Sequence, residues 1–135
     1  MVKVFSLGYG GWKSIEDFVE RLKSLKITVL IDVRRFPTSK NPDFKKENLE
    51  VELPKHNIRY EYMGETLGGY RRGGYEKYTE TENYKEGIRR LQELVREESG
   101  NIAIMCLERS HRHCHRRFIT ETLSKKGIEV VHVEK

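Results

Sequence analysis

The sequence lacks the features of membrane proteins and of small secreted proteins. It contains no apolar run near the roughly 18 residues that a membrane helix requires, so we expect no contact with a membrane. Its two cysteines are too few for a secreted disulfide framework. Its first residues are typical of a strand that meets glycines, and not of a signal peptide. We therefore expect a cytoplasmic protein. A Cys106–Cys114 disulfide is an open alternative, because thermophile interiors can hold such bonds.

The sequence also contains only one glutamine, whereas charged residues make up 35% of the chain. This balance resembles that of a thermophile protein. The protein is basic, with a net charge of +5 from 26 basic and 21 acidic residues. The excess favours an anionic partner, either nucleic acid or a phosphorylated small molecule. A solvated thermophile surface would have the same balance. The oligomeric state is not encoded in any of these features.

Segments with strand and helix periodicity alternate along the chain. Residues 15–25 have the spacing of an amphipathic helix, and 28–33 form the near-continuous apolar run of a strand covered on both faces. The further predicted elements are a helix at 45–56, a strand at 58–63, a helix at 82–98, a strand at 102–107, a helix at 114–126 and a strand at 129–133. This pattern predicts one doubly wound α/β domain over residues 1–135, with about five mostly parallel strands and helices on both faces.

Glycine, arginine and tyrosine interleave in residues 64–78. This stretch is too long and too rich in glycine for a helix, so we expect a surface loop that closes over a ligand. Arg71 and Arg72, flanked by Tyr70 and Tyr75, would contact phosphates and stack on bases. The alternative is a loop packed by its own tyrosines.

The densest group of reactive side chains lies in residues 101–116, which contain both cysteines and three of the five histidines. The segment begins as an apolar strand and leads into a helix, and α/β proteins usually place a site at such a transition. Loops after parallel strands open on one edge of the sheet. We therefore expect residues 8–11, 32–39 and 106–115 to lie together.

The two cysteines of this segment are candidate nucleophiles. Cys106 ends the predicted strand and Cys114 lies near the first turn of the helix, where the helix N-terminus and nearby cations lower the pKa of a thiol. The spacing from Cys106 to Arg112 also resembles the anion cradle of cysteine phosphatases and rhodanese-like sulfurtransferases. The loop contains no glycine, however, and Glu108 would oppose a bound phosphate.

Two further interpretations of the segment are open. Zinc is one, and its candidate ligands are Cys106, His111, His113, Cys114 and His115. The other is that the cysteines are small core residues and the histidines belong to a solvated turn.

Carboxylates and arginines suggest a site that needs no thiol. Arg34 and Arg116 would hold an anion beside Asp32 and Glu108, one of which would act as general base. Equally, Asp32–Arg34 and Glu108–Arg116 would be structural ion pairs that hold the loops in place.

A set of motifs extends along the whole chain: Leu7-Gly8; Asp32-Val33-Arg34 with Pro37 and Ser39; Phe44 and Leu49; Tyr60; Leu67-Gly68-Gly69-Tyr70; Cys106-x-Glu108; Cys114-His115-Arg116; and His132. With these motifs the chain resembles the domain of unknown function 488 family. That family commonly has Gly-His where this chain has Gly8-Tyr9. His111, His113 and Arg112 lie outside the family pattern, which disfavours the zinc and phosphatase-like interpretations.

The resemblance implies a compact α/β fold with a shared site, and it implies no activity, cofactor or metal. The candidate catalytic residues are Asp32, Cys106, Glu108, Cys114 and His115. The candidate substrate-binding residues are Arg34, Ser39, Gly68, Gly69, Arg71, Arg72, Arg116 and His132.

Three classes of function follow from these residues. The first is an enzyme, or a former enzyme, that acts on a phosphate-bearing nucleotide or nucleic acid through a Cys/Glu/His/Arg pocket at the carboxyl edge of the sheet. The second is a nucleic-acid-binding module without catalysis that uses the basic and aromatic residues 64–78. The third is a structural or zinc-binding domain.

Overall fold

A single sheet of five parallel strands forms the centre of the computed structural model, which describes residues 2–12, 14–69, 71–106 and 115–133. The strands are β1 (Val4–Gly8), β2 (Ile27–Asp32), β3 (Arg59–Tyr62), β4 (Asn101–Cys106) and β5 (Val130–Val133). Their spatial order is β3-β2-β4-β1-β5, and every neighbouring pair is parallel. The predicted α/β class and parallel sheet are thus confirmed, and the structure adds the strand order.

Helices connect the strands. They are α1 (Ile15–Ser24), α2 (Lys46–Glu52), α3 (Gly64–Leu67), α4 (Tyr75–Tyr78), α5 (Glu82–Glu97) and α6 (Arg116–Lys125). Two 3₁₀ turns, Pro42–Phe44 and Leu53–His56, flank α2. Polar side chains start two of the longer helices: Ser14 accepts a hydrogen bond from the Asp17 amide, and Thr81 from the Tyr84 amide. These N-caps satisfy amides that would otherwise lack a partner at a helix start.

The sheet separates two hydrophobic cores. Side chains of successive strand residues alternate between the faces. In β2, Leu30 packs in the core that contains residues of α1 and α2, and Ile31 packs in the core that contains residues of α5 and α6. This burial on both faces explains why β2 and β4 are almost continuously apolar.

The chain leaves the carboxyl ends of neighbouring strands towards opposite faces. β1 and β2 lead to α1 and α2 on one face, whereas β4, which lies between them, leads to α6 on the other face. A crevice opens where neighbouring connections diverge in this way, and α/β proteins bind ligands there. A binding site is therefore expected at the carboxyl ends of β1, β2 and β4.

Two predicted elements require correction. The stretch 64–78, predicted as a loop without helix, contains the single-turn helices α3 and α4. Tyrosine packing stabilises these turns in spite of the glycines, as described below. The predicted helix 45–56 is a shorter α-helix that tightens into a 3₁₀ turn, which contains Pro54. Among the described residues, no helix has the length and apolar character needed to cross a membrane.

Candidate functional site

Asp32 and Arg34 form a buried ion pair at the end of β2. The guanidinium of Arg34 contacts the carboxylate through two bonds, Nε to Oδ1 at 2.8 Å and Nη2 to Oδ2 at 2.7 Å. The backbone amide of Arg34 also donates to Oδ1, at 3.1 Å. Both side chains are buried. A bidentate pair of this kind fixes the path of the backbone after β2, because each buried charge needs its partner.

Two tyrosines complete the surroundings of this pair. The Tyr60 hydroxyl donates to Asp32 Oδ2 at 2.5 Å, so the carboxylate accepts four hydrogen bonds. Burial and the negative charge of Asp32 raise the pKa of Tyr60, which keeps the hydroxyl protonated as a donor. The Arg34 guanidinium lies 5.2 Å from the centre of the Tyr9 ring. These contacts favour a structural role for Asp32 over that of a general base.

Arg116, the first residue of α6, lies in the other core, between β1 and β4. Its Nε donates to the Cys106 sulfur at 3.0 Å, and its Nη1 donates to the Ser6 hydroxyl at 2.8 Å. The side chain is completely buried. Cys106 is itself disulfide-bonded. The chain has one other cysteine, Cys114, which lies outside the described residues.

The two candidate anion-binding arginines thus lie on opposite faces of the sheet edge. Arg34 contacts Tyr9 in the core with α1 and α2, and Arg116 contacts Cys106 in the core with α5 and α6. Each guanidinium is bonded to internal partners. Both side chains are buried, and their internal hydrogen bonds support the edge of the sheet.

His115 bridges β2 and α6 at the same edge. Its ring Nε2 lies 2.9 Å from the carbonyl oxygen of Val33, the residue after β2. A carbonyl only accepts, so Nε2 carries the hydrogen and the neutral ring has its lone pair on Nδ1. Burial lowers the pKa of His115, the bond to Val33 opposes that shift, and the charges of Arg116 and Arg71 lower the pKa further. The imidazole is therefore neutral near pH 7.

Gly68 and Gly69 let the segment after α3 approach this region closely. A Cβ added to Gly68 would lie 2.6 Å from Arg35 Cα, and one added to Gly69 would lie 3.1 Å from His115 Nδ1. The first distance is too short for any side chain. The glycine pair thus brings residue 35 and the imidazole of His115 against one short segment of backbone.

Arg71, one of the two predicted phosphate contacts in this segment, has local partners. Its Nε donates to the Gly68 carbonyl at 2.9 Å, and its Nη2 contacts the carbonyls of Gly64 and Glu65. The guanidinium also lies 4.1 Å from the centre of the Tyr78 ring. These contacts close the C-terminal end of α3. Arg72, in contrast, is exposed.

Tyr75 and Tyr78, the two tyrosines of this segment that the structure describes, point inward. Tyr75 donates its hydroxyl hydrogen to the Leu67 carbonyl at 2.7 Å, and Tyr78 to the Thr66 carbonyl at 2.6 Å. Their rings pack on each other and on Tyr84. This is the arrangement expected of a segment packed by its own tyrosines, and it gives the glycine-rich residues a defined shape.

Of the remaining candidate residues, the structure describes Ser39 and His132. Ser39 accepts a hydrogen bond from the Asn41 amide at 3.1 Å and so stabilises a turn. His132 pairs with Ser6 in β5, and its side chain is exposed. Tyr70, Glu108, His111, Arg112, His113 and Cys114 lie outside the described residues. Within residues 2–12, 14–69, 71–106 and 115–133, no three His, Cys, Asp or Glu side chains are placed to hold a metal ion.

Sequence reasoning missed several partners of the site. Ser6 and the Val33 carbonyl hold Arg116 and His115, but they are 110 and 82 residues away in the chain. Neither has a local signal, because one is a single serine in an apolar strand and the other is a backbone group. Tyr60 belongs to one of the family motifs. Alternate residues of a strand share a face, so the pairing of Tyr60 with Leu30 places Tyr60 on the face of the sheet that also carries Asp32.

The comparison with family models confirms the family inferred from the motifs. The model described as "Domain of unknown function DUF488" matches residues 14–74 and 71–123. The chain belongs to this family. A comparison with curated proteins finds no match to the chain.

Proposed function

We propose that this member of the DUF488 family is an enzyme that acts on a phosphate-bearing nucleotide or nucleic acid at the carboxyl edge of the sheet. In this proposal His115 is the general base. The Cys106–Arg116–Ser6 group supports it from the core, and the Asp32–Arg34 pair holds the facing loop.

The observation that carries the proposal is the state of His115. Its Nε2–H is anchored on the Val33 carbonyl, and its pKa is lowered mainly by burial. The neutral imidazole is the form of histidine that accepts a proton, which is the requirement for a general base at physiological pH.

The position of His115 supports the same proposal. It precedes α6 and contacts the residue after β2, so it lies where the connections from β2 and β4 diverge. Crevices at this position are the usual ligand sites of open parallel sheets.

The positive charge of the protein favours an anionic substrate. The chain has a net charge of +5. Arg35, Arg72 and Arg117 are half-buried or exposed in the segments that border this edge. Cationic side chains around a crevice attract anionic substrates and stabilise charge on a phosphoryl group.

The variant His115→Gln tests this role, because a glutamine amide can still donate to the Val33 carbonyl but cannot accept a proton. The reduced protein would be incubated with adenosine 5′-monophosphate, ribose 5-phosphate, p-nitrophenyl phosphate and a single-stranded RNA, and products would be detected by mass spectrometry. We expect turnover by the wild type and a kcat at least about 100-fold lower in the variant. Because the pKa of His115 is lowered by burial, the wild-type rate should still be undiminished at the unperturbed histidine pKa of about 6.5 and should fall only at lower pH, as His115 becomes protonated.

His56→Gln is the matched control, because His56 precedes β3 and so lies at the opposite edge of the sheet. It should keep the wild-type kcat. Full activity in His115→Gln, or no turnover of any of the four substrates by the wild type, would contradict the proposal.

The non-catalytic alternative, nucleic-acid binding by residues 64–78, has less support. Arg71, Tyr75 and Tyr78 are occupied by contacts within the segment. A basic and aromatic binding surface needs such side chains to face outward.

A further inference from the structure

We infer that Phe36, with Arg35 beside it, is the platform on which the nucleobase of the substrate stacks. The inference deepens the proposed function, on which it rests, by assigning a base-binding subsite. Phe36 is 62% exposed, and Val51 is the only other large apolar side chain among the described residues with similar exposure.

A single exposed apolar residue on a surface is ordinary, but Phe36 lies at a particular place in the fold. It follows Arg34 in the loop after β2, at the carboxyl edge. His115 is bonded to Val33, only three residues before Phe36. Val51, by contrast, lies in α2, away from that edge.

Hydrogen bonds to its backbone carbonyls hold the loop that carries Phe36 in place. Each carbonyl from residue 35 to residue 38 accepts a hydrogen bond. The donors, in chain order of the carbonyls, are the Tyr62 hydroxyl at 2.8 Å, the Thr38 amide at 2.8 Å, the Lys46 amide at 3.0 Å and Arg34 Nη1 at 3.2 Å. Gly68 packs directly against residue 35 as well.

Such a loop presents its aromatic side chain in one place. A mobile loop could fold Phe36 back into the core and bury its ring, which would be favourable by the hydrophobic effect. The hydrogen bonds instead fix the backbone in the conformation that leaves the ring exposed. Rigid aromatic anchors bind with little loss of conformational entropy.

The chemistry around the ring selects the ligand. The Arg35 guanidinium lies 5.9 Å from the centre of the Phe36 ring. A flat, exposed ring beside a cation suits a flat aromatic group that carries a nearby negative charge, which describes a nucleobase joined to its phosphate. The buried Asp32–Arg34 pair has a purpose in this arrangement, since Arg34 holds one end of the loop through the carbonyl of residue 38.

The test compares a substrate that has a base with one that lacks it. Phe36→Ala should raise the KM for adenosine 5′-monophosphate roughly tenfold. It should leave kcat and the KM for ribose 5-phosphate unchanged. Val51→Ala, which removes an equally exposed side chain, should change neither KM. An equal KM for adenosine 5′-monophosphate in Phe36→Ala and wild type would overturn the inference, as would an equal rise for both substrates.

A binding measurement separates this inference from the proposed function. In a Trp12→Phe, Phe36→Trp double variant, the one tryptophan would be at position 36. Adding adenosine 5′-monophosphate should quench its fluorescence, and adding ribose 5-phosphate should not. Quenching without turnover would support the subsite and reject the enzyme. Turnover without quenching would support the enzyme and reject the subsite.

Discussion

Arg34 and Arg116 are both buried, but the groups around them differ. Arg34 meets a carboxylate, so its charge is neutralised within the ion pair. Arg116 donates to a sulfur and a hydroxyl, and it brings a positive charge to Cys106. The first arrangement fixes a loop, and the second places a cation against the sulfur of a disulfide-bonded cysteine.

The stability of the protein should depend on pH through His115. Its pKa is lowered in the folded protein, and the unfolded chain protonates near pH 6.5. The contribution is therefore fully present above pH 6.5 and is lost as the pH falls through the folded-state pKa. Urea unfolding between pH 7.5 and 5 should show a steeper loss of stability in the wild type than in His115→Gln. Parallel profiles for the two proteins would contradict this prediction.

At the level of single residues, the sequence predicted positions in the fold better than it predicted contacts. Asp32, Arg34, Cys106 and Arg116 were all predicted to belong to the carboxyl edge, and the structure places them there. Their roles depend on partners that are distant in the chain, such as Ser6 for Arg116. No local pattern encodes such a pairing, because it follows from strand order.

Helices and strands were likewise predicted where their signal is local and missed where it depends on tertiary contacts. The long apolar runs of β2 and β4 and the helical spacing of α1 and α5 determined those elements from local sequence, since period and burial are local properties. The single-turn helices α3 and α4 were not predicted, because four residues are too few for a period. Their conformation follows from tertiary contacts, including those of Tyr75 and Tyr78.

The connection after β2 depends on β3 for its stability. Tyr60, in β3, supplies a hydrogen bond to the charged Asp32, and Tyr62 supplies one to a neutral carbonyl. We expect Tyr60→Phe to lower the free energy of unfolding by about 1.5–3 kcal/mol, and Tyr62→Phe by about 0.5–1.5 kcal/mol. Denaturation by urea would measure both. If Tyr60→Phe cost no more than Tyr62→Phe, the carboxylate would not be the important acceptor.

Across the whole molecule, stability should decrease from the centre of the sheet to its edges. β4 pairs with β1 and β2, and most of its residues are buried. β5 pairs with β1 alone among the described strands, and its residues are half-buried or exposed. Amide hydrogen exchange should therefore be slowest in β4 and β1 and faster in β5. Equal protection of β4 and β5 would show that the sheet opens as one unit.

The interior position of β1 also affects how the protein folds during its synthesis. β1 is made first, yet its two neighbours, β4 and β5, both come from beyond residue 100. At typical rates of translation, Val4 waits about 5–20 s for its partner Ile102. An apolar strand without neighbours is prone to aggregate during such a wait. The nascent chain should therefore depend on a chaperone, or on a temporary partner strand, until the ribosome has passed β4.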